Sequence, residues 1–199
     1  YEDQKIRILN GGHQILANVA ELLSIETVRD AMKNEKILSL LEKIEINEII
    51  PHIKPVPGYT PIEYFELIRR RFSNPSIQDT IRRVAFDGSS RHTGFIVPSI
   101  RDGIQNSISI NGLSLAEALW SRMCEGTRED GSVIEPNDPH WEKLNICAKD
   151  SKENPLIWLD QKEIYGDISN DENFKKHFSK WLKMIYDQGV EKTLDEYLK

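Results

Sequence analysis

The sequence predicts an all-α fold, an irregular multi-helix domain built around one core. Nearly every apolar segment repeats with the period of about 3.6 residues that is typical of a helix, and no alternating run of β-branched residues stands between turn dipeptides. No internal repeat and no low-complexity tract is present. The 199 residues, 39% of them hydrophobic, are enough for one sizeable core and too few for two ordinary domains.

The first predicted helix spans residues 3–24. Its apolar residues cover a wide arc of the helical surface, which is typical of a helix buried on most of its circumference. They are Ile8, Leu9, Ile15, Leu16, Val19, Ala20 and Leu23. We therefore expect this helix to lie at the centre of the domain.

Two shorter helices are predicted over residues 26–33 and 35–50, and the second is ended by Pro51. Residues 60–63 (TPIE) then form a capping-box pattern, because Thr60 can cap the helix, Pro61 needs no N–H at the first position, and Glu63 can reach back to the cap. This pattern predicts a helix that extends to about Phe72.

The remaining helices follow at shorter intervals. A helix over residues 76–86 is expected to end at the turn sequence of residues 87–90 (DGSS). Residues 131–139 are predicted to form the longest loop, and further helices are predicted over residues 97–107, 113–125, 138–150, 154–165, 170–187 and 190–198.

Composition restricts the partners and the compartment. The net charge of −6 disfavours a nucleic acid or an anionic membrane as partner, since both attract a positive surface. Cys124 and Cys147 lack the spacing of a zinc or redox site, and His52, His140 and His177 lie far apart without ligand spacing, so no metal site is predicted. No stretch resembles a membrane span or a signal peptide, which predicts a cytoplasmic protein.

Polar residues interrupt the first helix at residues 5–13 (KIRILNGGH). At about 100° per residue, Asn10 lies about 140° and His13 about 80° from Lys5, so that the three side chains can converge on one small molecule. Gly11 and Gly12 weaken the helix by roughly 1 kcal/mol each relative to alanine, which is tolerated where a ligand or another backbone must come close. Taken singly, Lys5 can equally be a solvated lysine, Asn10 a buried hydrogen-bonding residue and His13 a core histidine.

The spacing of Lys5, Asn10 and His13 resembles the catalytic signature of the polyol-specific long-chain dehydrogenases, the mannitol 2-dehydrogenase family. Residues 71–75 (RFSNP) and 87–91 (DGSSR) look like the next two motifs of the family, in the same order. Its mannitol 2-dehydrogenase branch is most similar at Trp120, residues 136–139 (PNDP) and residues 164–167 (IYGD). The resemblance covers most of the chain.

The resemblance implies roles for individual residues. Lys5 would be the general base, Asn10 an oxyanion donor and His13 a hydrogen-bonding residue that orients the substrate. A lysine base must lose its proton, so its pKa has to fall from about 10.4 toward 7–8, and burial in the apolar helix would act in that direction. Glu2 could relay the proton outward, or could be only a first-turn acid favoured by the helix dipole.

Arginines form a second predicted cluster. By the same resemblance Arg83 and Arg91 would bind the substrate, whereas Arg82 is expected to be a solvated charge. A guanidinium can hold vicinal hydroxyls or a carboxylate, so these residues do not separate a sugar alcohol from a sugar acid. His92 is expected to be structural or exposed.

These residues lead to one principal hypothesis and two alternatives. Residues 1–199 are expected to be the C-terminal substrate-binding and catalytic domain of an oxidoreductase that interconverts a polyol (D-mannitol) and a ketose (D-fructose). The cofactor, NAD or NADP, would be held by an N-terminal Rossmann domain absent from this chain, which begins with Tyr1 and contains no G-x-G-x-x-G turn. The alternatives are a fructuronate or tagaturonate reductase of the same family, and a non-catalytic helical interaction domain.

Overall fold

The computed structural model describes residues 2–199, and these residues form an all-α domain, as predicted. Three isolated β-bridges are the only β-structure in the described part of the chain. Numbered in chain order, the helices α1–α12 are Glu2–Leu22, Val28–Lys33, Glu35–Ile44, Pro61–Phe72, Ile81–Ala85, Gly88–Asn106, Asn111–Cys124, Trp141–Asp150, Leu156–Leu159, Lys162–Tyr165, Glu172–Gln188 and Val190–Leu198. No helix within residues 2–199 is both long and apolar enough to cross a membrane.

Helix α1 is central, as its wide apolar arc predicts. From Gly11 to Leu22 every residue except His13 is buried, and the helix packs against α3, α5 and α7. One feature differs from the prediction: residues Lys5–Asn10 are π-helical, between the α-helical segments Glu2–Gln4 and Gly11–Leu22. Two further π-helical segments are Glu45–Ile49, directly after α3, and His92–Ile96, inside α6. Both of these contact the π-helical segment of α1.

The capping box at the start of α4 is confirmed. The Thr60 backbone N–H donates to Glu63 Oε2 at 2.8 Å, and the Glu63 backbone N–H donates to Thr60 Oγ1 at 3.2 Å. Pro61 occupies the first position of the helix, which ends at Phe72 as predicted. Local sequence chemistry was sufficient here because each capping group is supplied by the same four residues.

The helix predicted over residues 76–86 is mostly wrong. Helix α5 begins only at Ile81, because Thr80 caps it by accepting from the Arg83 backbone N–H. A turn does occur at Asp87, whose φ is +60°, but Gly88 then starts α6 and this helix continues to Asn106. Arg91 therefore projects from a helix and not from the predicted turn.

Other boundaries moved for similar reasons. The predicted helix over residues 138–150 starts at Trp141, since Asp138 uses its carboxylate to accept from the Ser89 and His140 backbone N–H groups at 2.7 and 2.9 Å. The predicted helix over residues 154–165 is two short helices, α9 and α10. The residues between α7 and α8 include the predicted loop 131–139.

The core centres on α7, which packs against both α11 and α1. Its largest fully buried side chains include Trp120, Trp158 and Trp181. Trp120 and Trp158 meet edge to face with ring centroids 5.1 Å apart, a favoured geometry for aromatic pairs.

A chain of buried polar groups crosses the core. Asn18 Nδ2 donates to His92 Nε2 at 3.1 Å, and His92 Nδ1 donates to Glu117 Oε1 at 2.6 Å. Glu117 Oε2 accepts from the Tyr165 hydroxyl at 2.6 Å, which in turn accepts from Trp158 Nε1 at 2.7 Å. His92, which was expected to be structural or exposed, is thus structural, and it ties α6 to α1 and α7.

Gly112 provides a test of this packing. A Cβ added there would lie 2.2 Å from Tyr197 Oη and 2.5 Å from Ile44 Cγ1. We expect Gly112→Ala to lower the free energy of unfolding by about 1–3 kcal/mol, as overpacked cores do. Gly94→Ala is the matched control, because a Cβ at Gly94 meets no atom within 4 Å, and it should be neutral or slightly stabilising in urea unfolding. Equal losses for the two variants would contradict the packing described here.

Candidate active site

A cleft of about 310 Å³ lies along one side of α1. Four of the predicted site residues line it: Asn10, His13, Arg83 and Arg91. Its other lining residues are Leu9, Gln14, Arg71, Asp79, Val84 and Phe95. Residues from α1, α4, α5 and α6 therefore meet at one polar site, together with Asp79 from the segment before α5.

Lys5 and Glu2 are placed differently from these four residues. Both are exposed, and neither belongs to the lining of the cleft. The expectation that this chain buries Lys5 in an apolar environment is therefore wrong. The rotation of about 100° per residue assumed for Lys5, Asn10 and His13 also fails, because residues Lys5–Asn10 are π-helical and carry more residues per turn.

The glycine pair of α1 serves packing. Gly11 and Gly12 are both buried, and a Cβ on Gly11 would contact the Phe95 carbonyl oxygen of α6 at 3.5 Å. A Cβ on Gly12 would lie 3.2 Å from Glu45 Oε1, which is tighter than an ordinary contact. The glycines thus allow another element, and not a ligand, to come close to α1, since neither residue lines the cleft.

His13 is held in its neutral form. Its ring stacks on Phe72 with centroids 4.4 Å apart, and its Nε2 is buried without a hydrogen-bond partner among the described residues. Burial lowers the pKa of His13 to about 4, and the charges of Arg83, Arg71 and Arg91 add to this effect while Asp79 opposes it. A neutral imidazole can donate or accept a hydrogen bond without bringing a charge to the cleft.

The arginines of the cleft differ in their partners. Arg83 forms an ion pair with Asp79 at the i,i+4 spacing. Arg91 donates from Nη1 to the Val84 carbonyl at 2.7 Å. The side chain of Arg71, at the end of α4, has no hydrogen-bond or ion-pair partner within residues 2–199. With Arg83, Arg91 and Asp79, it gives the cleft more positive than negative groups.

Several lining residues were missed by the sequence analysis. Arg71 is the first residue of segment 71–75 (RFSNP), but nothing in its spacing connects it with α1. Asp79 could have been found from its i,i+4 spacing to Arg83 in the helix predicted over residues 76–86, since that spacing favours an ion pair on a helix. Arg82, expected to be a solvated charge, donates to the carbonyls of Glu135 and Pro136 at 3.1 and 2.8 Å.

The lowered pKa of His13 predicts a dependence of stability on pH. In the folded protein the pKa of His13 is about 4, whereas the ordinary pKa of histidine is 6.5, so between these pH values the unfolded chain binds the proton and the folded protein does not. The contribution of His13 is therefore present above pH 6.5 and is lost as the pH falls toward 4. From pH 7 to pH 5 this loss should amount to about 2 kcal/mol.

Urea unfolding at the two pH values checks this prediction. The loss of unfolding free energy between pH 7 and pH 5 should be smaller for His13→Gln than for the unchanged protein, because glutamine does not titrate. His140→Gln is the control, since His140 is exposed, and it should keep the full loss. The same pH dependence in His13→Gln as in the unchanged protein would show that His13 is not the titrating group.

Comparison with known proteins decides the family. The sequence profile of the mannitol dehydrogenase C-terminal domain matches residues 1–186. The chain belongs to this family. A mannitol 2-dehydrogenase of Cereibacter sphaeroides is 44% identical over 198 residues, and one of Emericella nidulans is 29% identical over 199 residues. Both alignments cover 100% of this chain, but only 42% and 40% of those proteins.

Solved structures of the mannitol dehydrogenase family share the fold. The chain superimposes with a TM-score of 0.95 on the Pseudomonas fluorescens mannitol 2-dehydrogenase in its ternary complex with NAD and D-mannitol, at 29% identity. A substrate-free D-sorbitol dehydrogenase matches with a TM-score of 0.87 at 25% identity. The matches cover 100% and 97% of this chain and 40% of each of those chains. The chain thus corresponds to about two fifths of the length of its relatives.

Proposed function

We propose that this chain is the substrate-binding and catalytic domain of an NAD(P)-dependent polyol dehydrogenase that interconverts D-mannitol and D-fructose. The observation that carries the proposal is the meeting of Asn10, His13, Arg83 and Arg91 in one cleft of a chain that belongs to the mannitol dehydrogenase family. The mannitol 2-dehydrogenases among its relatives support mannitol as the polyol.

Oxidation of a secondary alcohol needs a base for the hydroxyl proton and donors for the developing alkoxide. Asn10 is half-buried in the cleft, where its side-chain N–H can donate to the alkoxide oxygen. His13, kept neutral by burial, would orient the reacting hydroxyl through a hydrogen bond. Lys5 would take the proton, and Glu2 would pass it to solvent. This step requires the substrate or another part of the polypeptide to cover the exposed side chain of Lys5.

Arg83 and Arg91 would hold the distal hydroxyls of the substrate. The hydrogen bond from Arg91 Nη1 to the Val84 carbonyl fixes one side of the guanidinium, while its other N–H groups remain available for a ligand. Arg83 is partly neutralised by Asp79, and a carboxylate in the cleft can itself accept from a hydroxyl. Together these groups provide donors and an acceptor, which suits a molecule with many hydroxyls.

The nicotinamide cofactor would be bound mainly by residues outside this chain. Residues 2–199 contain no strand followed by a glycine turn and a helix, the arrangement that binds a dinucleotide diphosphate. A bound nicotinamide cofactor accepts or supplies the hydride, and an N-terminal Rossmann domain of the same polypeptide would hold it. The residues of this chain would bind and orient the polyol and move its proton.

A fructuronate or tagaturonate reductase remains the second candidate. One observation favours it: three guanidinium groups, those of Arg71, Arg83 and Arg91, face the cleft with the single carboxylate of Asp79. An excess of positive charge would favour a substrate that carries a carboxylate.

A substrate panel separates the two candidates. Full-length enzyme should be assayed with NAD and NADP on D-mannitol, other hexitols and the corresponding aldonates. We expect the highest kcat/KM on D-mannitol. A higher kcat/KM on an aldonate would replace the proposed function with the second candidate, and the absence of activity on every compound would contradict both.

The placement of the cofactor gives a further prediction. Residues 1–199 expressed alone should fold and bind neither NAD nor NADP, because residues 2–199 offer no strand-to-helix glycine turn whose backbone N–H groups could bind a diphosphate. Isothermal titration calorimetry of this chain is the measurement, with circular dichroism to verify its helices. Binding of either dinucleotide in the micromolar range would contradict the proposed division between two domains.

A further inference from the structure

Gln14 lines the cleft beside His13 and has a hydrogen-bonding group without a partner. The residue is 1% exposed. Its side-chain Nε2 donates to the Val84 carbonyl at 2.9 Å, which fixes the orientation of the amide. Its Oε1 is buried and has no hydrogen-bond partner among the described residues. A buried acceptor without a donor costs free energy, and in a binding cleft a ligand can remove this cost by donating a hydrogen bond to it.

The surroundings of Gln14 connect it with the predicted substrate-binding residues. Arg91 Nη1 donates to the same Val84 carbonyl at 2.7 Å, so Gln14 and Arg91 are held by one common acceptor. The backbone carbonyl of Gln14 accepts from Asn18 Nδ2 at 3.4 Å, and Asn18 is bound in turn to His92, the neighbour of Arg91 in sequence. The side-chain amide of Gln14 is therefore fixed through its Nε2, and Asn18 links the backbone of the same residue to His92, before any ligand enters.

We propose that Gln14 is a specificity-determining residue whose Oε1 accepts a hydrogen bond from one hydroxyl group of the substrate. The proposal rests on the proposed function and adds one requirement: the substrate must carry a hydroxyl group that can reach Gln14 Oε1. An amide oxygen bonds to a hydroxyl, which can donate, and repels a carboxylate, which cannot. Gln14 therefore selects an uncharged hydroxyl-bearing carbon at this end of the cleft and opposes the attraction of the arginines for a sugar acid.

Monodeoxy substrates test this contact directly. Full-length enzyme and its Gln14→Met variant should be compared in the reduction of D-fructose and of the monodeoxy-D-fructoses that lack the hydroxyl at C1, C3, C4, C5 or C6. Methionine has nearly the same shape and cannot accept this bond strongly. On D-fructose we expect Gln14→Met to lower kcat/KM by about 10–100-fold. On one deoxy compound the loss should shrink to less than about threefold, because the hydroxyl that Gln14 binds is already missing.

Gln161→Met is the matched control. Gln161 is also buried, its Nε2 donates to the Trp158 carbonyl at 3.0 Å, and its Oε1 likewise lacks a partner within residues 2–199, but it does not line the cleft. Its replacement should leave kcat/KM for all the ketoses within about twofold. Gln14→Asn, which keeps an amide on a shorter side chain, should show the pattern of Gln14→Met and covers the case in which methionine prevents folding.

The outcomes separate the two proposals. A loss of the same size on every ketose would overturn the role of Gln14 as a hydroxyl acceptor and leave it as a residue that only positions Arg91. Unchanged kcat/KM in both Gln14 variants would overturn it too, while the activity of the unchanged enzyme would still support the proposed function. An unchanged enzyme without activity on any ketose would overturn both.

Discussion

Replacing Lys5 with alanine in the full-length enzyme is expected to lower kcat by about 10²–10⁴-fold, the range typical of a lost general base. The KM for the polyol should change little, because a base acts mainly in the transition state. Steady-state oxidation of D-mannitol measures both constants. Small external amines should restore part of the lost activity by entering the space left by the lysine side chain.

The control for Lys5 is Lys54→Ala. Lys54 is also exposed, it lies between α3 and α4, and it is not among the cleft residues. Its removal should leave kcat unchanged. Lys5 does not line the cleft in this chain, so the test is a strict one. An enzyme that keeps its full kcat after Lys5→Ala would show that the base is another residue.

Removal of the Glu117 carboxylate should have the largest effect on stability. Glu117 is fully buried and accepts hydrogen bonds from His92 Nδ1 and from the Tyr165 hydroxyl, both at 2.6 Å. Glu117→Ala leaves both donors buried without an acceptor, and we expect a loss of about 3–5 kcal/mol in the free energy of unfolding. Urea denaturation followed by circular dichroism provides the measurement.

Two further variants make this test specific. Glu117→Gln keeps the shape and one acceptor oxygen, so its loss should be smaller, about 1–3 kcal/mol. Glu153→Ala removes an exposed carboxylate and should change the free energy of unfolding by less than about 0.5 kcal/mol. If Glu117→Ala were no less stable than Glu153→Ala, the buried polar chain would not contribute to the fold.

Elements whose signals lie within a few residues could be predicted from the sequence. The capping box of α4 and the last helix, Val190–Leu198, have the predicted bounds. Helix α5 was misjudged because the Ser76-Phe86 segment has enough apolar residues for a helix, while the start of the helix depends on which residue caps it. The three π-helical segments could not be predicted, since Glu45–Ile49 and His92–Ile96 contact the π-helical segment of α1 across the fold and not along the chain.

For the candidate site, the structure brings most of the predicted residues together, while their chemical roles stay predictions. Asn10, His13, Arg83 and Arg91 line one cleft, although they come from three different helices. Lys5 was expected to be buried beside them because a regular helix was assumed where the chain is π-helical. The role of Gln14 depends on a carbonyl group 70 positions away in sequence, which no local pattern reveals.

A structure of the full-length enzyme with NAD and D-mannitol tests the central claim most directly. We predict the polyol in the cleft, with one hydroxyl oxygen within about 3.2 Å of polar atoms of both Asn10 and His13, the upper distance for a good hydrogen bond. Lys5 Nζ should lie within the same distance of that reacting oxygen, and Arg91 should contact a distal hydroxyl. A polyol bound elsewhere in the enzyme, with this cleft holding only solvent, would contradict the account.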